Sequence, residues 1–434
     1  MLKFKIIANS LLSSNNKKTD KRSISFSDFY NINKRYYSTG VGLHSSGFPY
    51  DYIRSNGSKA QWTQPTAIGF YLQYLVNENN EKEAERVMEN LLKTQTNPNI
   101  SWNGLIPWLK FNGDEVLAER TEIAFGDNSN LSKKVAMVAQ KFTGKASILA
   151  TQFLNNQKSG YQQMYDNSQG LFYGAVDRES DVFNKGYHIN RLFNEFRSGV
   201  AFVVSYFSID EKAWDNLIVN TPKTNYIDIE GDSVPIASTY DGSGFQYSWP
   251  LLSVPEGKLS ADMENILFNA LYAQLDTALK LGHFGGYSAS SYGNSASING
   301  YSGKIGVPEL AETTDHISNK TFSIYSLLPF LVILEQEDKQ TLMEWITTYA
   351  SYSGIQGQYG YYDSIHAEKN DKIISDLIFA VDNGSMILPN SEGPQLLLDF
   401  LDKYGKVDQF KNLYSKIKLG IPKIKKKLPL PPKI

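Results

Sequence analysis

The segment at residues 194–197, Asn-Glu-Phe-Arg, carries the residue types best suited to chemistry. Glu195 stands two residues before Arg197, at the start of the apolar run 200–204. A glutamate beside such a run is not expected to be fully buried unless it is paired. Partial burial would raise its pKa, and Arg197 would lower it. A carboxylic acid tuned in this way can protonate the leaving group in glycoside cleavage, although the segment alone also fits two ordinary solvated charges.

Composition excludes several other classes of chemistry. The 434 residues include no cysteine, which rules out thiol nucleophiles, disulfides, iron–sulfur clusters and thiolate zinc sites. The five histidines show neither HxH nor HxxxH spacing, so we expect no metal and no cofactor. A formal net charge of -2 gives no basic field for nucleic acid. No apolar run reaches about 18 residues, so no transmembrane helix is expected.

Helical periodicity dominates the interior of the chain. Helices are predicted at 65–77, 84–92, 129–141, 145–156, 190–208, 263–275, 322–335, 339–350, 371–381, 394–404 and 407–418. Long Gly-, Ser-, Tyr- and Asp-rich loops recur after pairs of these helices, and loops of that length are usually functional. The pattern predicts an all-α protein, a toroid of helical hairpins with its functional loops on one face.

The two ends of the chain differ from this interior. Residues 1–35 are predicted to be a flexible or targeting extension, with a weak signal-like or transit-like start. Residues 36–420 are predicted to form one domain. Residues 421–434 are basic and Pro-rich, and they are predicted to be an extended, solvated tail, or alternatively a surface anchor.

Loop motifs in a fixed order carry a resemblance to a known family. They are GL at 42–43, QPTAIGFYL at 64–72, FGDNSNL at 125–131, NEFR at 194–197, YDGSGFQY at 240–247, FGGYSAS at 284–290, YGYYDS at 359–364 and AVDNG at 380–384. Together they resemble the glycoamylase-like (α/α)6-toroid glycoside hydrolases, the superfamily of the endo-β-1,2-glucanases and of the processing domain of cyclic β-1,2-glucan synthase. The resemblance covers nearly the whole interior. It implies a monomeric enzyme acting on a glucan or oligosaccharide, and secretion or a periplasmic location.

The same resemblance implies roles for particular carboxylates. Glu195 is expected to be the general acid, and Asp382 the general base with Asp363 as the alternative. Some relatives carry a further catalytic carboxylate in the segment 288–291, where this chain has none. Its absence favours inversion, in which the two carboxyl groups flank a water molecule.

Sugar contacts are expected from polar and aromatic side chains on the same loops. The candidates are Asp51, Arg54, Asp127, Arg197, Asp241, Phe245, Tyr287 and Tyr359. Glu309 and Glu312 could supply another carboxylate. Two other functions remain open: a non-catalytic carbohydrate-binding protein of the same fold, and an (α/α)-toroid polysaccharide lyase that would use tyrosine with His188 or His283.

Overall fold

The computed structural model describes residues 25–291, 301–313, 320–368 and 371–432, and helices dominate them. The α-helices are α1 (Phe26–Asn33), α2 (Pro65–Asn77), α3 (Glu81–Thr96), α4 (Phe125–Lys141), α5 (Lys145–Asn156), α6 (Lys158–Met164), α7 (Arg197–Phe207), α8 (Lys212–Val219), α9 (Gly244–Ser248), α10 (Glu256–Leu259), α11 (Ala261–Leu281), α12 (Gln336–Ala350), α13 (Ala380–Ile387), α14 (Gly393–Lys403) and α15 (Val407–Ser415). Short 3₁₀ segments lie at Lys34–Tyr37, Trp249–Leu252, Pro308–Leu310 and Leu328–Val332. The prediction of a mainly helical protein is confirmed.

Short antiparallel strands connect the helices. They are β1 (Tyr52–Arg54), β2 (Trp62–Thr63), β3 (Leu109–Asn112), β4 (Glu115–Ala118), β5 (Glu122–Ala124), β6 (Tyr165–Asp166), β7 (Leu171–Tyr173), β8 (Ala175–Asp177), β9 (Val182–Phe183), β10 (His188–Ile189), β11 (Lys223–Ile227), β12 (Ser233–Ala237), β13 (Ser290–Ser291), β14 (Tyr301–Ser302), β15 (Thr321–Phe322), β16 (Ile365–Glu368), β17 (Asp371–Ile374) and β18 (Leu377–Phe379). They pair in sheets of two or three strands, among them β2-β3-β4 and β1-β18. The β1-β18 pairing joins the region before α2 to the region before α13.

Helix α4 lies at the centre of the packing. It contacts α2, α5, α7 and α14, and only Asp127, Gln140 and Lys141 along it are not buried. Its sequence is nevertheless rich in Ser, Asn and Lys. Buried polar groups of this kind need hydrogen-bond partners, and the neighbouring helices supply them. For example, Ser132 donates to the Gln157 side chain at 2.7 Å.

Local sequence signals explain where several helices begin and end. Helix α2 begins with Pro65 in its first turn, where a missing N–H costs nothing. Helix α11 is capped by Ser260, whose side chain accepts the Met263 N–H. It ends at Gly282, whose φ of 69° suits a residue without a Cβ atom.

Three of the predicted helices are wrong in extent or type. Residues 322–335 form β15 and a 3₁₀ segment, because Pro329 cannot occupy a helix interior without loss of a hydrogen bond. Residues 371–381 form β17 and β18, whose isoleucines pair with neighbouring strands, and only Ala380 begins a helix. The predicted helix 190–208 begins at Arg197.

The predicted boundaries of both terminal segments also need correction. The expected extension at 1–35 lies outside the described residues as far as residue 24, but Ser25 forms a capping box on α1. Phe29 of α1 is fully buried and stacks on Tyr361 at 4.5 Å, so this part belongs to the domain.

The tail beyond residue 420 lies along the body instead of extending into solvent. Ile421 and Leu428 are each 4% exposed. Asn269 donates to the Pro422 carbonyl at 2.9 Å, and the Trp345 indole donates to the Pro429 carbonyl at 2.7 Å. Proline lacks an N–H but keeps a carbonyl acceptor, and the two bonds to Pro422 and Pro429 hold the segment against the domain. Among the described residues, no helix is both long and apolar enough to cross a membrane.

Candidate active site

Asp363 and Asp382 form a buried pair of aspartates. Asp382 lies in the first turn of α13, and Asp363 precedes β16. The Ser291 N–H and hydroxyl donate to Asp363 Oδ2 at 2.5 and 2.6 Å. Asp363 Oδ1 and Asp382 Oδ2 are buried and have no other donor among the described residues, so a proton shared between the two carboxyl groups satisfies them.

The two members of this aspartate pair hold the shared proton unequally. Burial, followed by the charge of Asp363, raises the pKa of Asp382 well above its ordinary range. Burial also raises the pKa of Asp363, but hydrogen bonds from Asp382 and Ser291 lower it. The two carboxyl groups therefore titrate as a coupled pair, in which Asp382 binds the shared proton more tightly than Asp363 does.

Asp51 and Asp127 form a second pair of carboxylates, positioned by one short segment. The Gln64 side chain donates to Asp51 Oδ1 at 2.8 Å, and the Thr66 hydroxyl donates to Asp127 Oδ1 at 2.6 Å. The Trp108 indole donates to Asp127 Oδ2 at 2.8 Å. Burial raises the pKa of Asp51 to about 6, and it raises the pKa of Asp127 as well.

Glu195 lies beside Asp127 because the backbone at Gly126 leaves room for its neighbour. A Cβ atom at Gly126 would lie 2.1 Å from the Phe196 ring, so only glycine permits this approach. Burial raises the pKa of Glu195 to about 7; the charges of Asp241 and Asp127 also raise it, whereas Arg197 lowers it. A glutamic acid with this pKa carries a transferable proton near neutral pH.

Asp241 completes the group on the Glu195 side. Burial raises its pKa to about 6, against the opposing charges of Lys304 and Arg191. The side chain of Arg191 pairs with Glu312 at 2.7 Å and lies over the Tyr240 ring. Glu312 is thus close to this side of the site, whereas Glu309 is exposed on the 3₁₀ segment Pro308–Leu310 that packs against β11.

Tyr301 connects the two ends of this acidic site, by which we mean Glu195, Asp51, Asp127, Asp241, Asp363 and Asp382. Its ring is 44% exposed, but protein surrounds its hydroxyl group and burial raises the pKa well above the ordinary value. The charges of Asp382, Asp363, Asp51 and Glu195 raise it further. The structure therefore brings the predicted acid and both predicted bases within electrostatic reach of one phenol.

Two of the predicted sugar contacts lie in the core instead. Arg197 is fully buried and ion-paired with Glu256 at 2.6 Å. Its remaining N–H groups donate to the carbonyls of Asn194, Gln246 and Tyr247, which uses all of its donors. Tyr287 is also fully buried, with its hydroxyl 2.8 Å from His283 Nδ1. The prediction that these two side chains contact a sugar needs correction, because no surface of either is accessible.

The other three residues predicted to contact a sugar are Arg54, Phe245 and Tyr359, and each contacts a different part of the protein. Arg54 is paired with Asp376 at 3.0 Å, at the end of the β1-β18 sheet. Phe245 is partly buried, and its ring meets Trp249 edge-to-face at 4.9 Å. Tyr359 is partly buried against the core. None of these contacts joins the three residues to the acidic site.

The predicted site residues did not include Tyr301, Trp108 or Arg191. Tyr301 follows Gly300 in a Gly- and Ser-rich loop, a setting in which aromatic residues often contact sugars, so a signal existed. Trp108 and Arg191 gave no such signal, since their roles depend on the hairpins that carry them to Asp127 and Asp241.

The histidines suggested for a lyase do not form a usable site. His283 stacks on Phe322 at 4.6 Å, burial lowers its pKa to about 4, and its tyrosine partner is inaccessible. The side chain of His188 contacts Asp166 at 3.0 Å and lies against the Tyr173 ring.

Comparisons with known proteins find likeness in structure only. By sequence, the chain matches no protein-family model and no curated protein. The endo-β-1,2-glucanase from Talaromyces funiculosus, solved with sophorose, superposes with a TM-score of 0.79 at 15% identity, over 94% of this chain and 92% of that one. The endo-β-1,2-glucanase from Chitinophaga pinensis, solved with sophorotriose and glucose, gives 0.69 at 14% identity, over 90% and 98%. The resemblance suggested by the loop motifs is confirmed at the level of architecture: this chain has the fold of the endo-β-1,2-glucanases.

Proposed function

We propose that this protein is a glycoside hydrolase that cleaves a β-linked glucan with inversion, and that β-1,2-glucan is its substrate. The observation that carries the proposal is a glutamic acid, Glu195, whose pKa burial raises to about 7, in the same acidic site as the buried, hydrogen-bonded aspartates Asp363 and Asp382. Glycoside cleavage needs one carboxyl group that donates a proton and another that accepts one, so the pKa values of the two must differ. The shared fold with endo-β-1,2-glucanases supports the choice of glucan. It also supports a six-hairpin (α/α)6 arrangement of the helices.

The reaction would begin with proton donation from Glu195 to the departing glycosidic oxygen. A water molecule on the opposite face of the sugar would lose its proton to the aspartate pair as it attacks the anomeric carbon. We assign Asp382 as the residue that faces this water. As Asp382 accepts the proton of the water, the proton that it shares with Asp363 would pass to the Asp363 carboxylate, which Ser291 holds in place. The hydroxyl of Tyr301 would order the water and sugar hydroxyls between them.

The segment 288–291 supports inversion for a second reason. Without a carboxylate there, Ser291 supplies two hydrogen bonds to Asp363, and Ser288 accepts from the Phe245 N–H at 3.1 Å. Both serine side chains therefore bond to neighbouring residues, and neither position supplies a nucleophilic carboxylate. Because the segment offers no carboxylate to attack the anomeric carbon, a covalent glycosyl-enzyme is not expected.

The test is digestion of a glycan panel that includes β-1,2-glucan, read by product mass and by early proton magnetic resonance. We expect shorter β-1,2-linked oligosaccharides whose new reducing ends first have the α configuration. Retention of configuration would contradict the assignment of the base. An unsaturated product absorbing in the ultraviolet would indicate a lyase, and sugar binding without turnover would indicate a carbohydrate-binding protein.

A further inference from the structure

The hairpin β3–β4 places a tryptophan and an arginine together beside the acidic site. Trp108 immediately precedes β3, and Arg120 follows β4 by two residues. The Glu119 N–H donates to the Trp108 carbonyl at 2.8 Å, which extends the ladder to the base of the hairpin. The Arg120 guanidinium carbon then lies 3.8 Å from the centre of the Trp108 ring. The two side chains form a stacked unit.

Arg120 has no ionic partner in the part of the chain that the structure describes. Its side chain is exposed, and it makes no hydrogen bond or ion pair with a described residue. Its charge nevertheless acts on both Asp51 and Asp127 and opposes the effect of burial on their carboxyl groups. Trp108 is tied to the same wall through its hydrogen bond to Asp127. The guanidinium therefore lies near two carboxylates and forms an ion pair with neither.

We infer that Trp108 and Arg120 form the hydrogen-bond-donating side of a sugar subsite. There Arg120 donates hydrogen bonds to hydroxyl groups of one glucose unit of the glucan, and Asp51 and Asp127 accept hydrogen bonds from hydroxyl groups of the same unit. This inference rests on the proposed function. A guanidinium presents paired N–H donors that match two adjacent oxygens. Stacking on the indole fixes the plane of these donors before a ligand arrives, which reduces the entropy lost on binding.

The ligand group recognised by Arg120 is neutral. An anionic substituent would meet Arg120 favourably, but it would also meet Asp51 and Asp127, which share the wall with it. Sugar hydroxyls can donate to the carboxylates and accept from the guanidinium at once, so they fit both sides. Glu195 and Asp382 border this wall, since Asp127 raises the pKa of Glu195 and Asp51 raises that of Asp382.

The role is one of binding, so KM should respond more than kcat. We expect Arg120→Gln to raise KM for β-1,2-glucan by about 10- to 100-fold, the loss expected for hydrogen bonds from a charged donor. Arg120→Lys keeps the charge but loses the fork and most of the stacking, and it should give an intermediate increase. The matched control is Lys110→Gln, which removes one exposed positive charge from the same hairpin. Its KM should stay within about twofold of the wild-type value, because surface charges away from a ligand contribute little.

Binding is measured separately, by calorimetry with a β-1,2-glucan oligosaccharide on the catalytically impaired Glu195→Gln protein with and without Arg120→Gln. A dissociation constant raised at least tenfold by the second substitution supports the inference. Equal dissociation constants, or no binding in either protein, overturn it. If the wild type hydrolyses no glycan in the panel, the proposed function fails, whereas the calorimetric comparison still decides the role of Arg120. Circular dichroism melting curves of the Arg120 and Lys110 variants check that both fold.

Discussion

The acidic site and the buried polar layer further along α4 show opposite outcomes of one physical cause. Asp127 lies in the first turn of α4, and Lys133 and Lys134 lie about 9 and 10.5 Å further along its axis. Burial raises the pKa of the carboxyl groups in the site, and it lowers the pKa of both lysines. In each region, removal of water favours the neutral form of the group.

The two regions differ in what satisfies the polar atoms. The Lys133 amino group donates to the Ser198 hydroxyl at 2.5 Å, and the Lys134 amino group donates to the Ser253 hydroxyl at 2.6 Å. In the acidic site, by contrast, Asp241 Oδ1, Asp363 Oδ1 and Asp382 Oδ2 have no hydrogen-bond donor among the described residues, apart from the proton shared by Asp363 and Asp382. Groups with internal partners stabilise the fold, whereas groups with open hydrogen-bonding capacity can act on a ligand.

Glu195 and Arg197 lie within one turn of chain and show the same difference between a group that can act on a ligand and one that stabilises the fold. Arg197 faces inward and spends every donor on Glu256 and three carbonyls. Glu195 lies in the acidic site, where burial raises its pKa to about 7. Substitutions on the two sides should therefore separate loss of activity from loss of stability.

The largest expected effect is on turnover and follows from Glu195→Gln. Glutamine keeps the shape of the side chain but cannot donate a carboxyl proton, so kcat on an unactivated glucan should fall by about 10²–10⁴. Substrates with good leaving groups should be affected less. The free energy of unfolding should be unchanged or slightly increased, because a desolvated acid is removed. Wild-type turnover on the unactivated glucan would remove Glu195 from the role of acid.

Arg197→Met should act on stability. It leaves Glu256, which is fully buried, without its ionic partner, and breaking such a pair costs about 3–5 kcal/mol in the free energy of unfolding. Urea denaturation measures this loss. Arg178→Met is the matched control, since its partner Glu179 is 61% exposed and such pairs contribute about 0–1 kcal/mol. Equal losses of unfolding free energy in the two variants would contradict the conclusion that the buried Arg197–Glu256 pair stabilises the fold more than the exposed Arg178–Glu179 pair does.

The pH dependence of kcat/KM should show an alkaline decline centred near pH 7. Above the pKa of about 7, Glu195 loses the proton that the mechanism requires, and the rate should then fall about tenfold per pH unit. Lys133 also has a pKa of about 7, so it must be excluded as the cause. The decline should persist unchanged in Lys133→Met. A decline that disappears in this variant would assign the titration to the lysine layer.

The smallest expected effect is on the pH dependence of stability in Lys133→Met. The pKa of Lys133 is about 7 in the folded protein and 10.5 as its ordinary value, so between these limits the unfolded chain binds the extra proton. Wild-type stability relative to the variant should therefore rise as pH increases from about 7, by at most about 1.4 kcal/mol per pH unit. Urea denaturation at pH 7.5 and 9 tests this. Lys110→Met, at an exposed position on β3, should show no such slope.

Several features of the site could be predicted from the sequence. The carboxylates Glu195, Asp51, Asp127, Asp241, Asp363 and Asp382 were all identified from motifs, and the structure gathers them in one region. The helices 65–77 and 145–156 were predicted with their observed bounds, because proline and apolar spacing mark them locally. The predicted helices 322–335 and 371–381 failed, since apolar runs of that length fit buried strands equally well.

The sequence by itself determined the residue types of the acidic site, the mainly helical architecture and the exclusion of thiol chemistry. Only the tertiary structure decided that Arg197 points into the core, that Asp363 and Asp382 share a proton, and that Trp108 and Arg120 stand beside Asp127. The physical reason is that protonation and partnership depend on burial and on contacts between segments distant in the chain. Local sequence patterns do not specify which distant segments will meet.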